Sequence, residues 1–195
     1  MCDALGQTKS YSYDGADRVT QVVWKNAAGT VVDTLNYSYD ANGEMLTASN
    51  SAGIYTFTYD GLGRVSTQTD PNGYLLSFSY DANNNVTSVS DWKNGILGGT
   101  ISSSYNNDNI LISRSQSGNG IPGVQITLGY NNDNQLTQID RYNNSVNGTL
   151  VSQTELTVDD NGNITNEIVQ QVLSGGGTNV QEDYLNKFDA NNNLI

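Results

Sequence analysis

Histidine is absent from this 195-residue sequence, and cysteine occurs once, as Cys2. Without an imidazole the chain cannot build a Ser-His-Asp triad, and it also lacks the commonest metal ligand. A single cysteine cannot form an internal disulfide. We therefore expect no catalytic residues, no cofactor and no enzymatic activity in this chain.

Basic residues are also scarce: 8 Lys and Arg face 20 Asp and Glu, for a net charge of −12. A phosphate backbone or an anionic membrane surface attracts the opposite balance, so we expect no nucleic-acid partner. No apolar run approaches the ~20 residues of a membrane-spanning helix, so we expect no membrane insertion. Cys2 leaves two interpretations open, an arbitrary boundary of the sequence or the acylated cysteine of a bacterial lipoprotein.

What the chain has in abundance is a repeated step of two residues, usually an aromatic residue followed by Asp or Asn. We call the first residue of each step the anchor. The steps lie 20 to 30 residues apart, a period that predicts a tandem array covering residues 1–195. They are Tyr13-Asp14, Tyr39-Asp40, Tyr59-Asp60, Tyr80-Asp81, Tyr105-Asn106, Tyr130-Asn131, Val158-Asp159 and Phe188-Asp189.

Each repeat has the pattern of a strand, a tight turn and a returning strand. Before the anchor, aromatic residues alternate with Ser or Thr, the period of two that is typical of a strand with one covered face. The Asp or Asn favours a turn, and the residue four after the anchor is always one that tolerates a positive φ. These residues are Asp17, Gly43, Gly63, Asn84, Asn109, Asn134, Gly162 and Asn192. Six after the anchor an apolar residue starts the returning strand, as Val19 and Val65 do.

Polar segments at 24–30, 69–74, 92–100 and 116–123 are interpreted as the loops that connect one hairpin to the next. The clearest is Asp70-Pro71-Asn72-Gly73, because proline suits the first central position of a turn. Residues 165–183 break the rhythm, and we favour a strand over a helical turn there.

The string Tyr59-Asp60-Gly61-Leu62-Gly63-Arg64-Val65 resembles the YD or RHS repeat, and similar strings recur over about residues 10–195. Such repeats occur in RHS and wall-associated polymorphic toxins, toxin-complex shell subunits and teneurins. The resemblance implies a spiralling antiparallel sheet that forms a shell in long members. Eight hairpins with strands ~4.8 Å apart make a ribbon of roughly 75–80 Å, too narrow to enclose a folded protein alone.

Two groups of residues have possible ligand-binding interpretations, and a third is expected to form ion pairs within the chain. Asp159, Asn161 and Asn163 place oxygen atoms at alternate positions, as calcium loops do, but turn chemistry explains them without a metal. Trp24 and Trp92 each begin a Trp-Lys-Asn return loop and could stack on sugar rings or cap the core. Arg18 and Arg64 are expected to pair with neighbouring acids along the row of turns.

We predict an all-β fold, a curved antiparallel sheet of tandem β-hairpins. The predicted function is structural, as a segment of a larger secreted or bacterial cell-surface toxin-like shell. The partners would be further repeats or a second copy at the sheet edges, and an encapsulated polypeptide or a glycan. The alternative is a binding module for carbohydrate or protein that uses the aromatic face or the Trp24 and Trp92 loops.

Overall fold

The computed structural model describes residue 3 and residues 5–143, 148–172 and 178–186 of the chain. Fifteen strands account for most of these residues, and the all-β antiparallel prediction is confirmed. The strands are β1 (Thr8–Tyr13), β2 (Val19–Lys25), β3 (Val31–Tyr39), β4 (Met45–Asn50), β5 (Gly53–Tyr59), β6 (Val65–Thr69), β7 (Tyr74–Tyr80), β8 (Val86–Lys93), β9 (Ile96–Tyr105), β10 (Leu111–Gly118), β11 (Ile121–Tyr130), β12 (Leu136–Tyr142), β13 (Leu150–Val158), β14 (Ile164–Val172) and β15 (Thr178–Leu185).

The chain divides into two compact units, Met1–Phe78 with Asp91–Ile96, and Ser79–Ser90 with Leu97–Ile195. In the first unit, β1 to β7 pair antiparallel in chain order. In the second unit, β9 to β15 pair in the same way. Within each unit these strands therefore hydrogen-bond to their neighbours in sequence, which is the arrangement that short turns impose.

The hairpins that close on Tyr13, Tyr39, Tyr59, Tyr105, Tyr130 and Val158 each have a β-bulge beside the anchor. In the third hairpin, Tyr59 pairs with Val65 and Thr58 pairs with Thr67, so Ser66 is the extra residue. In the other hairpins the extra residues are Thr20, Leu46, Ile112, Thr137 and Thr165. The Ser or Thr that often follows the apolar residue is thus a bulge residue. Two of these hydroxyls donate across the hairpin, that of Thr137 to the Gly129 carbonyl and that of Thr165 to the Thr157 carbonyl.

The loops that connect the hairpins are shorter than the sequence predicts. Trp24 and Lys25 belong to β2, and Trp92 and Lys93 belong to β8. The turn that follows Lys93 consists only of Asn94 and Gly95. Residues 116–118 and 121–123 are likewise in strands, which leaves a turn at 119–120. The strands continue through these polar residues. Polar composition alone therefore predicts loops that begin before the strands end.

The segment from 165 to 183 contains strand, as favoured from the sequence: Ile168, Val169 and Val172 lie in β14 and residues 178–183 in β15. The eighth anchor, Phe188, together with Asp189, Asn192 and Cys2, lies outside the described residues.

Very few side chains are buried. Among the described residues, only Val22 and Thr154 are buried, at 8% and 3% exposure. The predicted alternation is present, because Tyr37, Phe57 and Phe78 are half-buried while the adjacent Ser38, Thr58 and Ser79 are exposed. The exposed hydroxyls pair across strands, for example Ser38 with Thr47 at 2.6 Å and Ser104 with Ser113 at 2.6 Å. The aromatic face is only partly covered, since Tyr11, Tyr55 and Tyr74 remain more than 40% exposed.

Candidate functional site

Each turn after an anchor is a five-residue loop closed by its Asp or Asn. In the third repeat, the Asp60 N–H donates to the Arg64 carbonyl at 2.8 Å, and the Gly63 N–H donates to the Asp60 carbonyl at 3.0 Å. The Asp60 Oδ1 accepts from the N–H groups of Leu62 and Arg64 at 2.9 and 3.0 Å. The side chain therefore supplies acceptors that the bent backbone cannot provide.

The same bonds form at every other described turn of this row. The corresponding residues are Asp14, Asp40, Asp81, Asn106, Asn131 and Asp159. The residue four after the anchor has a positive φ in each of the seven, from 59° to 93°. These residues are Asp17, Gly43, Gly63, Asn84, Asn109, Asn134 and Gly162.

The residue five after the anchor adds a side-chain bond to the turn. Arg64 Nη2 lies 2.7 Å from Asp60 Oδ2, and Arg18 Nε lies 2.7 Å from Asp14 Oδ2. The expected pairing of both arginines with neighbouring acids of the row is confirmed, and in each case the acid is the Asp four residues earlier in the same turn. The Arg64 side chain holds the pKa of Asp60 below its ordinary value, and the Arg18 backbone N–H does the same for the pKa of Asp14.

Asparagine and glutamine fill the role of arginine in other repeats. The Nδ2 groups of Asn85 and Asn163 donate to Asp81 and Asp159 at 2.9 and 3.0 Å. In the sixth repeat the direction reverses, and Asn131 Nδ2 donates to Gln135 Oε1 at 2.7 Å. A side chain that can bond the turn residue therefore recurs at this position.

Two repeats are exceptions: Ile110 has no polar side-chain group at this position, and Glu44 places a second carboxylate beside Asp40. Burial, followed by the proximity of Asp40 and Asp60, raises the pKa of Glu44 above its ordinary value. The pKa of Asp40 is lowered, chiefly by the Glu44 backbone N–H that its carboxylate accepts. A Cβ on Gly63 would lie 2.8 Å from Glu44 Oε1, so Glu44 reaches the next turn of the row.

The anchor tyrosines join each hairpin to the preceding one. The hydroxyl of Tyr39 donates to the Val19 carbonyl at 2.9 Å, and that of Tyr59 donates to the Met45 carbonyl at 2.8 Å. Tyr105 and Tyr130 donate in the same way to Val86 and Leu111, at 3.1 and 2.9 Å. We call these four bonds the tyrosine clasps.

The accepting carbonyl always belongs to the apolar residue six after the preceding anchor. Met45 lies outside the β4–β5 pairing, which begins at Thr47, and Leu111 lies outside the β10–β11 pairing, which begins at Ser113. The bulge thus leaves a carbonyl beyond the end of the ladder, where the tyrosine hydroxyl bonds it. Burial raises the pKa of Tyr59.

Tyr80 is half-buried at the end of β7. The first and seventh anchors differ from this pattern. Tyr13 starts the row and is 58% exposed. Val158 has no hydroxyl. After it, Asn186 Nδ2 donates to the carbonyl of Ile164 at 3.1 Å, so an amide serves where the other repeats use tyrosine.

Arg18 adds two further contacts between the first and second repeats. Its Nη1 donates to the Asp40 carbonyl at 2.9 Å, and its guanidinium lies 4.7 Å from the centroid of the Tyr39 ring. One side chain therefore bonds its own turn, the backbone of the next turn and the face of the clasp tyrosine.

The atoms of the proposed calcium candidates are used within their own turn. Asp159 Oδ1 accepts from the N–H groups of Asn161 and Asn163, and Asp159 Oδ2 accepts from Asn163 Nδ2. These bonds lower the pKa of Asp159, with the Asn163 side chain as the largest cause. In the described ranges, no three Asp, Glu or Cys side chains are placed so that they could hold a metal ion.

Trp24 and Trp92 lie in strands rather than loops, and their surroundings differ. Trp24 is 41% exposed, and the Lys9 ammonium lies 4.1 Å from the centroid of its ring. Trp92 is half-buried beside a cavity of about 300 Å³ that Leu75 and Asn94 help to line. Its neighbour Lys93 lies 3.8 Å from the centroid of the Tyr74 ring and donates to the Asn72 carbonyl.

Three turns of the same chemistry lie at the other ends of the strands, and of these the turn at Asp70-Pro71-Asn72-Gly73 was predicted from the sequence. Asp3, Asn26 and Asp70 each accept two backbone N–H bonds through Oδ1, as the anchor turns do. Gly6, Gly29 and Gly73 supply the positive φ, at 76°, 79° and 79°. The signal was present in the sequence, since Asp-Ala-Leu-Gly, Asn-Ala-Ala-Gly and Asp-Pro-Asn-Gly share the spacing of Asp or Asn and Gly.

Comparisons with known proteins agree with this geometry. Residues 39–75 and 59–96 match the family model described as RHS Repeat. Double-stranded DNA deaminase toxin A of Burkholderia cenocepacia (strain H111) is 29% identical to this chain, across 38% of this chain and 6% of that toxin. The chain therefore spans a small part of the relative that it matches.

Two solved structures share the fold. The crystal structure of TcdB2-TccC3 without its hypervariable C-terminal region aligns with a TM-score of 0.63 and 16% identity, covering 98% of this chain and 11% of the other. The crystal structure of TcdB2-TccC3-TEV aligns with a TM-score of 0.57 and 14% identity, covering 97% and 12%. Among the described residues, no helix is long and apolar enough to cross a membrane.

Proposed function

The chain is a YD/RHS-repeat protein, and from this premise we propose that it is a non-enzymatic segment of sheet wall in a larger toxin-like protein. Its residues 1–195 act as one array of about eight repeats. The role of each repeat is to hold the next one in register. A wall segment of this kind needs no reacting groups.

The observation that carries the proposal is the combination of strong links between hairpins and weak burial within them. A strand ladder and a tyrosine clasp join the hairpins that close on Tyr39 and Tyr59 to those before them. Yet Val22 is the one buried apolar residue in the part of the chain that the structure describes. A sheet with so little buried apolar surface gains stability from whatever covers its aromatic face and its edges.

The comparisons support the same role by analogy. The RHS-repeat match and the shared fold with TcdB2-TccC3 fit a sheet that continues into further repeats of the same protein or into an associated subunit. They also fit a secreted or cell-surface parent, whether or not Cys2 carries a lipid. Any toxic activity, and any polypeptide that the wall encloses, would belong to parts of the parent protein other than this segment.

Hydrogen–deuterium exchange tests the wall role. The chain is expressed alone and again with the flanking sequence of its own gene. All six residues of β1 are exposed in the structure, so added repeats should slow exchange of the β1 amides at least about tenfold and lower the binding of an apolar dye. Equal exchange and equal dye binding in the two proteins would refute the wall role.

A binding module remains the second candidate function, because the first unit has cavities beside both Trp24 and Trp92. This candidate predicts a ligand whose affinity depends on one of those tryptophans. A glycan array with Trp24→Ala and Trp92→Ala variants separates it from the wall role.

A further inference from the structure

Six Asn-Gly pairs occur in the sequence, and five of them lie wholly within the described residues. Asparagine followed by glycine is especially prone to deamidation, because glycine has no side chain to hinder attack of its backbone nitrogen on the asparagine side chain. All ten residues of the five pairs are exposed, so water reaches each pair. The pairs are Asn42-Gly43, Asn72-Gly73, Asn94-Gly95, Asn119-Gly120 and Asn161-Gly162.

The five-residue turn that begins at Asp70 holds one of these pairs firmly. The Gly73 N–H donates to the Asp70 carbonyl at 3.0 Å, and the Asn72 carbonyl accepts from the Lys93 side chain. Both ends of the peptide group between Asn72 and Gly73 are therefore bonded. The Asp70 Oδ1 also accepts from the N–H groups of Asn72 and Tyr74, at 2.9 and 2.8 Å. Rotation of this peptide group thus breaks several hydrogen bonds.

Two other five-residue turns restrain an Asn-Gly pair through the glycine. The Gly43 N–H donates to the Asp40 carbonyl at 3.3 Å, and the Gly162 N–H donates to the Asp159 carbonyl at 3.0 Å. In each turn the aspartate Oδ1 accepts from the N–H groups on either side of that glycine. The nitrogen that would have to attack is therefore held within the turn.

The Asn94-Gly95 pair has no such restraint. It forms the two-residue turn between β8 and β9, with φ of 52° and 77°. Within the described part of the chain, the Gly95 N–H donates no hydrogen bond and the Asn94 side chain has no hydrogen-bond partner. The attacking nitrogen can therefore turn towards the side chain without the loss of a bond.

The Asn119-Gly120 pair in the second unit is similar. It is the two-residue turn between β10 and β11, and the Gly120 N–H donates to no atom of the described residues. The Asn119 N–H donates to the Gly98 carbonyl at 2.9 Å, but this bond belongs to the preceding peptide group. The nitrogen of Gly120 is thus as accessible as that of Gly95.

We propose that Asn94 and Asn119 are sites of spontaneous deamidation, whereas the five-residue turns protect the other three asparagines. The Gly95 nitrogen loses its proton to hydroxide and attacks the side-chain carbonyl carbon of Asn94. The side-chain nitrogen takes a proton from water and leaves as ammonia. The succinimide ring that forms then takes up one water molecule and opens at either carbonyl, which gives aspartate or isoaspartate. Asn119 reacts with the nitrogen of Gly120 in the same way.

The two products have different effects on the turn at Asn94. Aspartate keeps the backbone length, and the first repeat already has an aspartate in this conformation, Asp17 at φ 59°. Isoaspartate adds one methylene group to the backbone of a turn that has only two residues. In both forms a carboxylate appears at the rim of the Trp92 cavity, which has no charged residue in its lining. The modification therefore changes the charge of that cavity, whether or not the chain is a wall segment.

Peptide mapping by mass spectrometry of the full 195-residue chain tests the proposal. The folded protein and the protein unfolded in urea are kept in the same mildly alkaline buffer, and conversion of amide to acid is followed at each pair. The ratio of the folded rate to the unfolded rate removes the effect of local sequence. This ratio should be at least about tenfold higher at Asn94 and Asn119 than at Asn42, Asn72 and Asn161, the factor expected from two hydrogen bonds. A folded rate at Asn94 no higher than that at Asn72 would overturn the proposal.

Asp70→Ala is the matched variant, because it removes the Oδ1 acceptor from the Asn72 turn and leaves the Asn94 turn intact. It should raise the rate at Asn72 about tenfold and leave the rate at Asn94 unchanged. If Asn72 stays protected in this variant, the turn bonds are not the cause of protection. Thermal melts show whether the variant folds, and if it does not, the wild-type comparison of Asn94 with Asn72 decides. None of these outcomes depends on amide exchange in β1, so failure here is distinct from failure of the wall role.

Discussion

Removal of a single clasp hydroxyl should measurably weaken the link between two hairpins. In Tyr59→Phe the ring and its packing stay, but the Met45 carbonyl loses its donor at 2.8 Å. No strand partner replaces that donor, because the β4–β5 pairing begins two residues later, at Thr47. The substitution therefore tests the clasp alone.

The expected cost follows from the burial of the bond. A typical intramolecular hydrogen bond contributes about 0.5–1.5 kcal/mol net, and an acceptor left without a partner costs about 1–3 kcal/mol when it is fully buried. Tyr59 is only half-buried, so water can partly solvate the Met45 carbonyl. We expect Tyr59→Phe to lower the free energy of unfolding by about 1 kcal/mol, or about 2–4 °C in Tm for a chain of this size.

Urea unfolding followed by tryptophan fluorescence is the appropriate assay, because Trp24, Trp92 and Tyr59 all belong to the first unit. Tyr55→Phe is the matched control. Tyr55 lies on the same strand, is 42% exposed, and its hydroxyl bonds no atom among the described residues. If Tyr59→Phe costs no more than Tyr55→Phe, the clasp does not stabilise the array and the reasoning fails.

Three more perturbations test other parts of the array. Gly53→Ala should destabilise the chain by about 2–4 kcal/mol in urea unfolding, because φ is 136° and the new Cβ would clash with Pro71 Cβ. Gly61→Ala is the control, since its new Cβ has open space, and it should change the free energy of unfolding by no more than about 0.5 kcal/mol. Folding raises the pKa of Glu44, so the folded chain binds its proton more readily than the unfolded chain does. In melts across pH, stability should therefore rise as pH falls through that raised pKa towards the ordinary value of 4.5, and Glu44→Gln should abolish the rise. Below about pH 3.8 both proteins should lose stability, since the pKa values of Asp14 and Asp60 are lowered in the fold and that contribution disappears when they protonate. Val158→Tyr should stabilise the second unit by about 1 kcal/mol, because Leu136 lies beyond the β12–β13 pairing as Met45 lies beyond β4–β5, and an unchanged melt would contradict this.

Most of the fold was predictable because its signals are local. A turn with Asp60 at its start and Gly63 at φ 77° depends on residues within five positions of each other. The strands between turns have a period of two, which is visible wherever Ser and aromatic residues alternate. The strand ends were less predictable, since Trp24 and Trp92 have neighbours that are polar enough to suggest loops while the backbone stays in the ladder.

The clasps were not predicted, because each joins residues that are separated by 14 to 20 positions through a bulge. A faint signal did exist within the chain itself. Two positions before the anchor, the sequence has Tyr37 in one repeat and Phe57 in the next, so a ring suffices there. At the anchor, the first six repeats all have tyrosine, which indicates that the hydroxyl matters as well as the ring.

The anchor tyrosine and the Asp or Asn that follows it therefore have different roles. Asp or Asn builds the turn, but Asn26 and Asp70 build the same turn at the opposite strand ends without a tyrosine before them. Turn formation alone therefore does not require the pair. The anchor tyrosine has a different role, because its hydroxyl bonds the carbonyl that a bulge has removed from the ladder of the preceding hairpin. The repeated unit is thus better defined as a turn together with a hydrogen bond to the preceding hairpin. The chain departs from this unit at Val158, which has no hydroxyl, and at the next hairpin, where the Asn186 amide bonds the Ile164 carbonyl.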